Sequence, residues 1–169
     1  MIVKYKKLRK DAIEPTRGSE YAAGLDLYAA EDTYVDKGGV VSVGTGIAIE
    51  IPPGYFGAIY ARSGLATKQG LRPANCTGIV DSDYRGEIIV PLFNDSVVFR
   101  EIHKGDRIAQ LVIQPYANVY MIDADVLSST ARGSGGFGST GYNLKDNANQ
   151  KYDYEQITLY DIMYKETYE

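Results

Sequence analysis

Apolar β-branched residues in this chain come in short runs, and each run stops at a turn. Val40, Val41, Val43, Ile47, Ile49 and Ile51 form the clearest run, which ends at Pro52-Pro53-Gly54. Residues 55–60, 79–80, 87–93, 97–99 and 108–113 continue the series, and Ile2, Tyr5 and Leu8 mark a first strand among lysines. Turn formers punctuate them: Tyr84-Arg85-Gly86, Asn94-Asp95-Ser96 and His103-Lys104-Gly105-Asp106. A chain of this pattern buries its apolar side chains by pairing many short strands, so it folds as a sandwich, jelly roll or barrel. Only two segments read as helix. Residues 63–69 open with Ser63 as a candidate cap, and residues 153–165 begin with an Asp-x-x-Gln capping pattern but also alternate like a strand.

With 169 residues the chain fits one domain, and 44% hydrophobic against 24% charged residues places it among folded proteins. A net charge of -4 provides no basic field for nucleic acid. A single cysteine, Cys76, forms no intrachain disulfide, and with a single histidine, His103, one chain cannot assemble a Cys/His zinc site. His103 falls in an exposed turn and receives no catalytic role. Cys76 reads as a small buried residue whose thiol is inert. The start, MIVKYKKLRK, lacks the apolar run of a signal peptide, and no 18-residue apolar stretch spans a bilayer, so the expectation is cytoplasmic, with no membrane partner. Composition shifts near residue 142. The last 28 residues hold six of the fifteen tyrosines and three lysines against six carboxylates.

Several clusters carry chemistry. In Ala23-Gly24-Leu25-Asp26-Leu27, strand alternation buries the leucines and turns Asp26 to the opposite face, where it is either an exposed strand residue or a carboxylate orienting a metal-bound water. Arg62-Ser63-Gly64 runs from a strand into the candidate helix and offers a guanidinium, a hydroxyl and unpaired backbone N–H groups to phosphate. In residues 75–86, a hairpin brings together Asn75, whose amide both donates and accepts, the backbone at Gly78, Asp81 at the end of an apolar pair, and Tyr84 in the turn. Asp83 reads as a turn residue. Gln110 lies among apolar neighbours on a strand, where its amide needs partners. Residues 131–140, ARGSGGFGST, have linker composition, yet contain Arg132 and Phe137.

Taken in order, AGLDL (23–27), ARSGLA (61–66), NCTGIVDSDYRG (75–86), GDRIAQ (105–110) and RGSGGFGSTG (132–141) resemble the five motifs of the homotrimeric dUTPases. The resemblance implies an all-β, distorted jelly roll with one short helix after Arg62. It marks out a jelly-roll core (1–130) and a flexible Gly-rich arm (131–141), and the shift in composition sets off a Tyr-rich acidic extension (142–169). It also implies a homotrimer whose sites draw on several chains, dUTP as substrate and Mg²⁺ as cofactor. By match to the motifs, Asp81 holds the attacking water, and Asp26 touches the metal through water while the ion rests mainly on the phosphates. Arg62, Ser63, Gly64, Gln110 and Arg132 hold phosphates, helped by Gly138, Ser139 and Thr140. Asn75 and Gly78 pair with uracil, Tyr84 lies on the deoxyribose, and Phe137 stacks on the base.

Two other readings fit parts of the pattern. A dCTP deaminase, or a bifunctional relative of the same fold, needs a glutamate near the base, and the first one after the hairpin is Glu87. A regulatory module would keep the nucleotide pocket and bind a protein partner through the C-terminal extension. The extension departs from the family pattern, in which the fifth motif lies near the chain end.

Overall fold

Strand pairing joins residues far apart in the chain, and turn formers end several of the strands. The computed structural model describes residues 1–136 and Ser139. Among these lie twelve strands: β1 (Lys4–Lys7), β2 (Thr16–Arg17), β3 (Leu25–Tyr28), β4 (Thr33–Val35), β5 (Val40–Gly44), β6 (Ile47–Glu50), β7 (Tyr55–Tyr60), β8 (Leu71–Pro73), β9 (Gly78–Val80), β10 (Ile89–Asn94), β11 (Arg100–Ile102) and β12 (Arg107–Pro115). All pairings are antiparallel. They build a five-stranded sheet ordered β2-β3-β12-β7-β9, a three-stranded sheet β5-β10-β8, and the pairs β1-β6 and β4-β11. The architecture is the distorted jelly roll expected from the sequence. Among the described residues, no helix is long and apolar enough to cross a membrane.

The long apolar run of residues 40–51 breaks into two strands at Thr45-Gly46. Gly46 takes φ 69°, and the Thr45 hydroxyl donates to the Ile88 carbonyl at 2.7 Å. The resulting step sends β5 to β10 and β6 to β1. Leu27, Ile47, Ile51, Leu71, Ile88, Leu92, Ile108 and Leu111 are almost wholly buried between the sheets. Each contributes on the order of 2 kcal/mol of apolar transfer. Gly57 lets β7 and β12 approach closely, since a Cβ there would stand 2.8 Å from a Leu111 methyl.

Two expectations are corrected. Residues 97–99 are not a strand. Asn94, fully buried at the end of β10, donates to the Val35 and Val98 carbonyls at 3.2 and 2.8 Å and accepts from the Ser96 N–H at 2.9 Å. These bonds fold residues 95–99 back on themselves, so pairing resumes only at Arg100, opposite Val35. The short helix expected after Arg62 is present as a single wide turn, Leu65–Gln69, but Ser63 does not cap it. Gly64 holds the cap position with no side-chain bond, while the Ser63 carbonyl accepts the Thr67 hydroxyl at 2.7 Å. Gly70, at φ 71°, ends the turn.

The strands all lie in Met1–Tyr120, and the chain from Met121 onward forms a second unit. In that unit the Gly135 N–H donates to the Arg132 carbonyl at 3.0 Å and Arg132 Nε donates to the Gly135 carbonyl at 2.8 Å, closing one tight turn at residues 132–135. The helix-or-strand segment at 153–165 and the whole extension 142–169 lie outside the described residues.

Candidate active site

Register in the five-stranded sheet assembles a first cluster of the candidate residues. On central strand β12, Gln110 is opposite Asp26 of β3 on one side and Tyr60 of β7 on the other. Directly opposed residues share a face, and Arg62, two residues beyond Tyr60, emerges beside them. Arg62 Nε donates to Asp26 Oδ1 at 2.8 Å, and Arg107 Nη1 reaches Asp26 Oδ2 at 3.3 Å. Asp26 is therefore not the exposed strand residue that alternation allowed. It is 9% exposed and bridges two guanidiniums. A single carboxylate between two arginines leaves the patch with net positive charge, and Arg62 commits only its Nε to the bridge, which frees its Nη donors for an anion.

Arg62, Ser63, Gly64, Arg107 and Gln110 line, with Asp26, a cleft of about 400 Å³. Gln110 is anchored by an Nε2–H bond to the Ala61 carbonyl at 2.8 Å. Its side chain passes directly over Gly24, where a Cβ would stand 2.5 Å from Gln110 Oε1. Gly24 is thus a packing requirement of the cleft. The uncapped Ser63 hydroxyl remains available at its rim.

A second cluster of candidate residues lies along β9, at the far edge of the same sheet. Asn75, Gly78, Asp81 and Tyr84 line a separate cleft of about 210 Å³, with Glu87 at its side. Asp81 is exposed immediately after β9. Its backbone carbonyl accepts the Tyr84 N–H at 3.2 Å. Arg85 clamps this turn through Nη1, which donates to the Ser82 and Tyr84 carbonyls at 2.7 and 2.8 Å. The Tyr84 hydroxyl donates to the Glu87 carbonyl at 2.9 Å, laying the ring across Gly86, where any Cβ would overlap it. Cys76 is exposed rather than buried, because the hairpin turns its side chain to solvent.

The two clefts share no lining residue. The structure thus gathers Asp26, Arg62, Ser63, Gly64 and Gln110 in one place and Asn75, Gly78, Asp81 and Tyr84 in another. Arg132 and Ser139 belong to the second unit, while Phe137, Gly138 and Thr140 lie outside the described residues. Sequence reasoning missed Arg107 and Gly24, which line the cationic cleft, and Arg85, which braces the turn beside the hairpin cleft. Arg107 stands inside the quoted GDRIAQ, but its link to Asp26 depends on a register shift between Arg107 and Ala109 that composition does not announce. Glu87, the residue on which a deaminase reading would rest, has its Oε1 occupied by the Gly46 N–H at 2.7 Å.

Comparison with known proteins places the chain in a family. The family model described as dUTPase matches residues 10–141, a span that contains all five motifs. The deoxyuridine 5'-triphosphate nucleotidohydrolase of Nautilia profundicola is 48% identical over 141 residues, covering 83% of this chain and 99% of that protein. The enzyme of the same name from a Hydrogenobaculum species is 50% identical over 137 residues, covering 80% and 95%. Among solved structures, a mutant dUTPase of Staphylococcus bacteriophage 80alpha with dUpNHpp superposes with a TM-score of 0.79 at 28% identity, covering 83% of this chain and 99% of that one. The chain belongs to the dUTPase family and is a β jelly-roll dUTP diphosphatase.

Proposed function

We propose that the chain acts as a Mg²⁺-dependent homotrimer in the cytoplasm. It hydrolyses dUTP to dUMP and pyrophosphate, keeps uracil out of DNA and supplies dUMP for dTMP synthesis. The observation that carries this reading is the pair of clefts: one cationic and one built around an amide, a carboxylate and an aromatic ring, with no residue in common. A single nucleotide requires both chemistries, so the reading joins the cationic cleft of one subunit to the hairpin cleft of a neighbour.

In that site, Arg62 and Arg107 neutralise phosphate charge, Gln110 and the Ser63 hydroxyl bond phosphate oxygens, and Gly64 leaves its backbone N–H open to them. Asn75 and the backbone at Gly78 pair with uracil, and the Tyr84 ring lies against the deoxyribose so that a 2′-hydroxyl clashes. A methyl group is worth only ~1 to 3 kcal/mol as a contact, so thymine is excluded by lack of room beside the hairpin. Asp81 accepts a proton from the attacking water. The new oxygen bond forms at the α-phosphorus in line with the bond to the bridging oxygen, and pyrophosphate leaves with that electron pair.

The donor set fits Mg²⁺ carried by substrate. Asp26 is the lone carboxylate of the cationic cleft, and no cluster of three His, Cys, Asp or Glu side chains occurs among the described residues. Such a set suits an ion resting on phosphate oxygens, with Asp26 bound through water. When bound, the ion supplies further charge neutralisation along the triphosphate. Arg132 on the γ-phosphate, Phe137 stacked on the base, and Gly138, Ser139 and Thr140 around the phosphates complete the assignment, the arm closing to exclude water.

A substrate panel tests the reading. dUTP, UTP, dTTP and dCTP are compared with and without Mg²⁺ by pyrophosphate and ammonia release. The expected result is Mg²⁺-dependent pyrophosphate release, with dUTP favoured about a hundredfold or more in kcat/KM. Equal turnover of all four nucleotides, or ammonia release from dCTP, would contradict it.

A further inference from the structure

Among the described residues, Cys76 is the one non-glycine residue with positive φ, at 62°. Packing does not demand it, because the side chain is exposed. The Thr77 N–H donates to the Asn75 carbonyl at 2.7 Å, a bond that spans Cys76 alone. A bond from residue i+2 to residue i with positive φ between them is a γ-turn of the rarer, strained form. Side-chain-bearing residues take such a conformation only where the surroundings impose it.

The surroundings here are two different sheets. β8 belongs to the three-stranded sheet and β9 to the edge of the five-stranded one, and only residues 74–77 connect them. The Cys76 N–H is tied back to the Pro73 carbonyl at 3.1 Å, at the end of β8. The chain must then enter β9 at Gly78, which is buried against Ile59. Reversing direction in so few residues forces the strain onto residue 76. It also fixes Asn75, whose amide nitrogen lies 3.4 Å from where a Gly78 Cβ would be, at the mouth of the hairpin cleft.

We infer that the backbone conformation of Cys76, not its thiol, is a positioning element for base recognition: the γ-turn holds Asn75 over Gly78 in the geometry that reads the base edge. This rests on the assignment of the hairpin cleft to uracil. It makes residue 76 a position where tolerance of positive φ, rather than size or polarity, decides how well dUTP binds.

The test compares full-length Cys76→Gly, Cys76→Asn and Cys76→Val. Gly and Asn accept positive φ, whereas a β-branched residue resists it. Gly and Asn variants are expected to keep kcat/KM for dUTP within about threefold of wild type. Val is expected to raise KM about tenfold or more with kcat within about threefold, and to lower the preference for dUTP over dCTP in parallel. A folded Val variant with unchanged KM, or equal impairment of Gly and Val, would overturn the inference. If Val prevents folding, Cys76→Ala and Cys76→Thr take its place, with Thr alone expected to raise KM. Wild-type protein inactive on dUTP would instead defeat the functional reading itself.

Discussion

Asp81→Asn is expected to lower kcat on dUTP about a thousandfold, ~4 kcal/mol of activation free energy, while leaving KM within about threefold. Asparagine keeps the shape of the side chain but cannot take a proton from water. The turn after β9 should survive the change, because it is held by the Asp81 backbone carbonyl and by Arg85 rather than by the Asp81 carboxylate. The melting temperature is therefore expected to stay within about 2 °C, which separates lost chemistry from lost structure. Turnover within tenfold of wild type would remove Asp81 from the water-activating role.

Arg62→Gln carries the second largest expected effect, a fall of about a hundredfold in kcat/KM, or ~3 kcal/mol. The substitution deletes a charge-assisted donor from the cleft proposed to hold phosphate and cuts the 2.8 Å bond to Asp26, whose remaining partner is Arg107 at 3.3 Å. Losing one of two partners of a carboxylate that is only 9% exposed also costs stability, since its charge is left partly uncompensated. Arg62→Lys should recover part of the stability and less of the activity, because an ammonium restores charge without the planar fork. A Gln variant with reduced melting temperature but unchanged kcat/KM would make Arg62 a structural residue.

Periodicity made much of the jelly roll legible. The run at residues 55–60 coincides with β7, and Pro52-Pro53-Gly54 turns the chain before it, with Gly54 at φ 85°. Local pattern failed where a particular side-chain hydrogen bond or ion pair decides the outcome. The residues Val97 to Phe99 have strand composition, but the buried Asn94 amide draws the Val98 carbonyl away from any ladder. Asp26 shows the same limit. Alternation put it on the right face, while its burial and double pairing arise from Arg62 and Arg107, which register alone brings to it.

The motifs identified the candidate residues of both clefts, yet nothing in their order says which of them are neighbours. Asp26, Arg62 and Gln110 meet because β3, β7 and β12 are adjacent in one sheet. Asn75 and Asp81 sit apart because β9 occupies that sheet's edge, and the strained turn at Cys76 that sets Asn75 has no compositional mark at all. Backbone conformation at a single residue is a property of the connection it must make, here between two sheets in four residues.

The central claim is that one active site joins the cationic cleft of one chain to the hairpin cleft of another. Co-refolding equal amounts of Asp81→Asn and Arg62→Gln chains tests it most directly, through dUTP turnover of the mixed oligomers. Each chain carries one intact cleft, so random assembly should restore about one quarter of the sites if the clefts come from different subunits. Mixed oligomers with no more activity than the two separate variants would show that each site is built within a single chain and contradict the account.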